Sequence, residues 1–331
     1  MEVSKMGETN TMQKTNSTID VLKLLMALLV VGIHTEPFGF NLWLDRGFGI
    51  ITRLCVPFFF ITSAYFYWLK DKGAFSYLKR IVLLYVIWSI IYLPFDIASL
   101  STMSVGDILY KYLWEGNGHA LWYLCGSAIG FIITYLLLKI FKPKTVLIIG
   151  CVVLFIGCLK STWSPLLEKI FSIEISDWLG SRNGLFYAFP YTALGMCIAK
   201  RDIKGEKKNY DIKPLTIGLI VSLFALVIES VLFIIVFKST STIMWISVLP
   251  CTYFLFMLGN NIDIKLDRNV SLFLRKTSTL IYVSHKLFCY LFYNFQNMVL
   301  FLLVAVSTVL FAIVIIQLSK IKKLSWLTYL Y

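Results

Sequence analysis

From Ile19 to about Gln317 the sequence is a succession of apolar runs separated by short polar breaks, and most of the runs are long enough to be membrane helices. A helix needs roughly 20 mostly apolar residues to cross about 30 Å of hydrocarbon. The runs place ten spans, near residues 19–37, 49–69, 80–98, 120–140, 144–160, 184–200, 214–237, 242–259, 278–296 and 298–319. The fifth is short and the last two nearly merge, so nine or eleven spans stay open. With 58% hydrophobic and 15% charged side chains, the chain has more apolar surface than one water-soluble core could hide, and lipid is its solvent. The expected fold class is an all-α, polytopic membrane protein.

The basic residues set the orientation. With the N-terminus inside, all but eight of the 31 Lys and Arg residues fall in or beside cytoplasmic segments, the eight being Arg46, Arg53, Lys111, Lys160, Lys169, Arg182, Lys238 and Lys286. An asymmetry that alternates loop by loop supports an even span count with both termini cytoplasmic. The net charge of +13 resides in these clusters, which face anionic headgroups, and the short loops offer no folded platform for nucleic acid. The first run lacks a small-residue cleavage site and keeps Asp20 and Lys23 within it, so it reads as a retained helix rather than a signal peptide. Residues 1–17 read as a disordered cytoplasmic tail. The seven cysteines lie mostly inside apolar runs without paired spacing or a nearby His; they read as packing residues, and no metal is expected.

An ionisable group within hydrocarbon costs several kcal/mol, so each one in a span is a candidate for function. Lys23 and His34 are eleven residues apart, which at about 100° per residue puts them on one helix face some 16 Å apart. Glu36 follows at the outer end, before the helix stop at Pro37. Arg53 enters the second span just before Leu54-Cys55-Val56-Pro57-Phe58-Phe59-Phe60, with Ser63 behind it, and can reach outward or pair with Glu36. Glu229 is embedded in Leu226-Val227-Ile228-Glu229-Ser230-Val231, and His285 with Lys286 follows Tyr282 and Ser284. Each also has a plainer reading: Ser63 and His285 as interhelical hydrogen-bond partners, Lys23 as a snorkelling end residue, Glu229 as a partner of Arg53 or Arg182. Two segments, Gly118-His119-Ala120-Leu121-Trp122-Tyr123-Leu124 and Gly180-Ser181-Arg182-Asn183-Gly184-Leu185-Phe186, open spans from the outside. Both bring helix N-termini to the outer leaflet, where an anionic group is favoured.

These residues together resemble the acyltransferase 3 family. The resemblance rests on Lys23 with ten residues between it and His34, Val56-Pro57-Phe58-Phe59-Phe60 with Ser63, Tyr77-Leu78-Lys79-Arg80, Leu121-Trp122-Tyr123-Leu124 and Ile281-Tyr282-Val283-Ser284-His285. It runs from about residue 18 to 318, and the shared order of the motifs makes it specific. Within the family, Ser181-Arg182-Asn183-Gly184-Leu185-Phe186 and Ile228-Glu229-Ser230 look most like the membrane domain of VanT-type serine racemases of vancomycin-resistant bacteria, in which a cytoplasmic alanine-racemase-like domain follows. The resemblance thus implies an acyltransferase 3-like transmembrane domain over 18–320 and, in 321–331, a cytoplasmic tail that begins a linker to a racemase domain. Where acyltransferases of the family usually carry Arg, this chain has Lys23, which lacks the bidentate fork suited to a phosphate-bearing acyl donor.

Three functions follow as expectations. The first is binding and delivery of L-serine to a cytoplasmic racemase domain, with Arg53, Ser63, Trp122, Tyr123, Arg182, Asn183, Glu229, Tyr282 and His285 as substrate-binding residues, since a zwitterion needs both signs of charge away from bulk water. The second is acyl transfer to an outer hydroxyl with His34 as base, Glu36 orienting it and Lys23 contacting the donor. The third is a membrane anchor, for which one span would suffice. No cofactor is expected in this chain, pyridoxal phosphate belonging to the racemase domain. The partners are L-serine and the lipid bilayer of the cell membrane, and a homodimer stays open.

Overall fold

The computed structural model describes residues 16–69, 74–172, 180–203, 210–239, 243–262 and 264–331. Most of the tail expected over 1–17 therefore lies outside the described residues. Its last two do not: Asn16 caps the first helix by accepting from the Ile19 N–H, and Ser17 opens it, as a short polar side chain does at this position.

The described regular structure is helical throughout. In chain order it comprises α1 (Ser17–Thr35), α2 (Leu42–Thr52), α3 (Cys55–Leu69), α4 (Ala74–Leu100), α5 (Val105–Tyr110) with a π turn at Lys111–Glu115, α6 (Trp122–Ile140), α7 (Pro143–Lys160) and α8 (Ser164–Phe171). There follow a π turn at Gly184–Ala188 leading into α9 (Phe189–Arg201), α10 (Ile212–Val231) with a π extension at Leu232–Val236, α11 (Val248–Asn261), α12 (Arg268–Leu291), α13 (Asn297–Leu318) and a 3₁₀ segment at Lys322–Leu330. Among the described residues, seven stretches are long and apolar enough to cross a membrane: α1, α2 with α3, α4, α6, α7, extended α10 and α13. The other three expected spans coincide with α9, α11 and α12, which are helices that are shorter or more polar.

Side-chain contacts fix the helix directions. Asp20 and His34 of α1 meet Arg275 and His285 of α12 in the same order, so α1 and α12 are parallel. Tyr92 of α4 donates to the Val283 carbonyl and joins α4 to this set. Gly126 and Gly130 of α6 face the 184–189 segment in register, and Gly195 of α9 faces Ile61 of α3. The pairs Gly150–Pro190 and Gly157–Phe186 run α7 against α9, and Gly218–Phe254 with Glu229–Ile246 runs α10 against α11. The long helices thus alternate in direction along the chain. Close approach needs small residues here: a Cβ on Gly195 would stand 2.4 Å from the Ile61 carbonyl oxygen, and one on Gly130 would stand 2.9 Å from the Ala188 carbonyl carbon.

Two boundaries depart from the sequence reading for identifiable reasons. The helix expected over 278–296 starts at Arg268 and ends at Leu291. Its polar first turns are held by the Arg275 guanidinium, which grips the buried Asp20 carboxylate through two bonds of 2.8 Å, and by Ser271, which donates to the same group at 2.7 Å. Hydropathy does not register such a clamp. The first helix ends at Thr35 rather than 37, because Glu36 turns left-handed (φ 46°) while its N–H still bonds the Gly32 carbonyl. The 321–331 segment packs on the bundle: Trp88 Nε1 donates to the Leu330 carbonyl at 3.1 Å, Tyr331 and Ser319 share a 2.9 Å hydroxyl contact, and Leu327 is buried.

Candidate functional site

The site begins with a break in a helix. Pro57 has no N–H to offer the Arg53 carbonyl four residues earlier, and the helical path parts at Arg53–Leu54 before resuming as α3. The break brings Arg53 between two adjoining hollows that share Ile33, Thr52 and Arg53. The inner one, about 40 Å³, is lined by His34 and Ile33 of α1, Arg53 and Val56, Ala120 and Trp122, Arg182 and Tyr187, Ile243 and Tyr282. The outer one, about 240 Å³, is lined by Glu36, Asp45, Arg46, Arg53 and Trp245 among others.

Each wall has a local cause. Asn183 Oδ1 accepts from the Leu185 and Phe186 N–H groups while its amide donates to the Gly180 carbonyl, fixing the turn that carries Arg182. The Arg182 guanidinium lies 5.4 Å from the Trp122 ring centre, a cation–π contact. Trp122 in turn meets Phe60 and Tyr187 edge to face. Tyr282 donates its hydroxyl to the Ala120 carbonyl, and Ala120 takes a left-handed φ of 64°. Behind the wall His34 stacks on His285 with ring centres 5.0 Å apart. His285 Nδ1 lies 2.7 Å from the Tyr282 carbonyl, which only accepts, so Nδ1 carries the proton and Nε2 is an acceptor. That Nε2 is buried and has no hydrogen-bond partner among the described residues.

The structure therefore brings His34, Arg53, Trp122, Arg182 and Tyr282 to one cavity, with His285 directly behind. Tyr123 and Ser63 sit deeper: the Tyr123 hydroxyl is 3.4 Å from both Ser63 Oγ and the Phe59 carbonyl. Three sequence-predicted roles are corrected. Glu229 does not meet Arg53 or Arg182; its carboxylate accepts from Trp163 Nε1 at 2.8 Å and from the Ile246 and Ser247 N–H groups at 2.9 Å. It thus holds the turn that presents Trp245, and it is a positioning residue. Asn183 spends its amide on backbone and presents Arg182 rather than a ligand contact. Glu36 does not orient His34: it lines the outer hollow, whereas His34 lines the inner one and stacks on His285, and no hydrogen bond joins the two among the described residues. Lys23 is remote from the cavity, with its ammonium 5.4 Å from the Phe66 ring centre.

Residues 16–317 match the family described as an acyltransferase domain. The chain belongs to that family. Among curated relatives of this acyltransferase-domain chain are two amino-acid racemases of Enterococcus faecalis. One is 27% identical over 220 residues, covering 60% of this chain and 30% of the racemase. The other is 24% identical over 330 residues, covering 91% and 46%. A serine/alanine racemase of Enterococcus gallinarum is 26% identical over 235 residues, covering 65% and 33%. The chain thus spans less than half the length of each of these relatives. No solved structure matches. The multi-pass helical architecture and the likeness to VanT-type proteins agree with the family assignment.

The acyltransferase domain also holds a polar network that sequence reasoning missed. Asp96 of α4, 4% exposed, accepts from Lys111 Nζ at 2.8 Å, His119 Nε2 at 2.9 Å and the Tyr112 hydroxyl at 3.0 Å. His119 Nδ1 lies 2.8 Å from the Tyr290 hydroxyl, and its ring stacks on Tyr92 at 4.8 Å. Burial, together with the bond to Asp96, pushes the Tyr112 phenol up to about 12, so it stays a donor at neutral pH. The network anchors the Gly116–Ala120 strap whose last carbonyl receives Tyr282. Its signal was present in the sequence as an acidic residue inside Tyr92-Leu93-Pro94-Phe95-Asp96-Ile97.

Proposed function

We propose that this chain is the membrane domain of a VanT-type serine racemase of vancomycin-resistant bacteria, and that it takes up L-serine from the outer side and delivers it to a cytoplasmic racemase domain. The observation that carries this reading is the outer hollow, where Glu36 and Asp45 stand opposite in sign to Arg46 and Arg53. A zwitterionic amino acid needs this pairing: a guanidinium fork for its carboxylate and a carboxylate for its ammonium. Arg53 borders both hollows, so the carboxylate that it receives outside is handed to a chamber lined by Arg182, His34 and Tyr282. Ten spans with both ends in the cytoplasm fit the alternating helix directions together with the basic loops. Pyridoxal phosphate then belongs to the racemase portion, with no cofactor in this chain.

A second reading is favoured by one observation, the place of His34 on the chamber wall in a chain of the acyltransferase family. In it His34 takes the proton of an outer hydroxyl during acyl transfer. The two readings differ in their demands, since delivery depends on Arg53 and Glu36 whereas acyl transfer depends on His34 and a donor contact at Lys23.

Uptake of labelled L-serine by cells expressing the chain separates them. Delivery predicts uptake above the empty-vector level that Arg53→Ala abolishes at matched membrane abundance, with Lys23→Ala retaining it. Wild-type uptake no greater than empty vector would overturn the delivery reading.

A further inference from the structure

Away from the two hollows, a groove of about 210 Å³ runs between Leu147 and Cys151 of α7, Pro190 and Leu194 of α9, and Pro250 and Tyr253 of α11. Its walls are aliphatic apart from the Cys151 thiol and the Tyr253 ring. Gly150 sets α7 close against α9 beside it, since a Cβ there would stand 3.4 Å from the Pro190 Cα. Cys151, the next residue, is exposed on a helix long and apolar enough to span the membrane, so the groove opens toward lipid. Lipid tails are as apolar as leucine, and no hydrophobic gain drives three helices to close such a gap. Left empty, its walls would forfeit their dispersion contacts.

The groove lies in one half of the bilayer. Leu147 is four residues from Pro143 at the start of α7, about 6 Å at helical rise, and Leu194 is seven residues from Arg201 at the end of α9, about 10 Å. Both depths fall short of about 15 Å, half the hydrocarbon thickness. At that end Cys197 Sγ lies 3.6 Å from the Pro143 carbonyl oxygen and joins the two helices. Lys142 and Lys144 flank Pro143, and Lys200 is three residues beyond Cys197, so three lysines come together where the groove ends. Asp202, the acidic residue that follows, is held by the Arg201 guanidinium at 3.0 Å, and the local balance is positive. By the basic-residue asymmetry this is the cytoplasmic end, where acidic lipids favour lysine.

We propose that the groove holds one acyl chain of an acidic phospholipid of the cytoplasmic leaflet, whose phosphate is received by Lys142, Lys144 and Lys200. A chain seated there touches α7, α9 and α11 at once and fills the space between them. The charge selects the headgroup: a zwitterionic lipid brings its own cation to the lysines, whereas phosphatidylglycerol brings only the anion. The site is independent of what the outer hollow carries.

The test uses the full chain in nanodiscs doped with phosphatidylglycerol or phosphatidylcholine, each bearing the same diazirine-labelled acyl chain. Cross-links mapped by mass spectrometry are expected on Leu147, Leu194 and Tyr253, with phosphatidylglycerol favoured about tenfold or more. Lys142→Gln, Lys144→Gln and Lys200→Gln together should bring the two lipids to about equal labelling. Cys151→Trp, which fills the groove from its rim, should lower labelling there about tenfold at an unchanged melting temperature. Equal labelling by the two lipids in the wild type would overturn the proposal. So would cross-links no denser in the groove than on the exposed Ile148 and Val152 of α7, or a preference for phosphatidylglycerol that survives the loss of all three lysines.

Discussion

Two glutamates that look alike in the sequence have opposite roles. Glu229 is buried and accepts three N–H donors, so Glu229→Ala strands the Ile246 and Ser247 amides and the Trp163 indole. A loss of about 3 kcal/mol in stability is expected, since each abandoned buried donor costs on the order of 1 kcal/mol or more. Thermal unfolding in detergent should show it directly. Glu36 is exposed at a helix end, so Glu36→Ala should leave unfolding unchanged and weaken serine binding. Equal stability in the two variants would refute this division. Sequence reasoning found both residues because charge within an apolar run is conspicuous, but it assigned Glu229 the wrong partners. The amides that it serves belong to a turn seventeen residues away whose fold no side-chain pattern announces. Asn183 was misread for the same reason: an asparagine before Gly184 is a capping residue as readily as a ligand.

At the scale of helices, one polar clamp registers α1 against α12. Asp20 is 1% exposed and takes two bonds from Arg275 and one from Ser271. Breaking a buried pair from one side strands a charge, so Asp20→Ala is expected to cost about 3–5 kcal/mol. Arg275→Lys should recover only part of it, because an ammonium lacks the fork. Denaturation monitored by tryptophan fluorescence checks both, and an Asp20→Ala protein as stable as wild type would contradict the clamp. The long apolar helices were legible from hydropathy alone. The early start of α12, the short α2, α5 and α8, and the packed 3₁₀ segment were not, because amphipathic or polar turns owe their order to tertiary partners rather than to lipid.

At the scale of the whole molecule, alternating helices place His34, Arg53, Trp122, Arg182 and Tyr282 from five chain segments around one cavity. The family and the order of its motifs were readable in the sequence, and so were five of the twelve residues lining the chamber, His34, Arg53, Trp122, Arg182 and Tyr282. Their convergence was not, because it depends on the break that Pro57 imposes and on the strap held by Asp96 and His119. Neither device shows in a hydropathy profile. The central claim is that Arg53 and Glu36 hold an amino-acid zwitterion in the outer hollow. Equilibrium binding of labelled L-serine to the purified chain in lipid nanodiscs tests it most directly. Saturable binding is expected, which unlabelled L-serine competes and acetate does not, lost in Arg53→Ala and weakened at least about tenfold in Glu36→Ala. Saturable binding that survives Arg53→Ala unchanged, or no saturable binding at all, would contradict it.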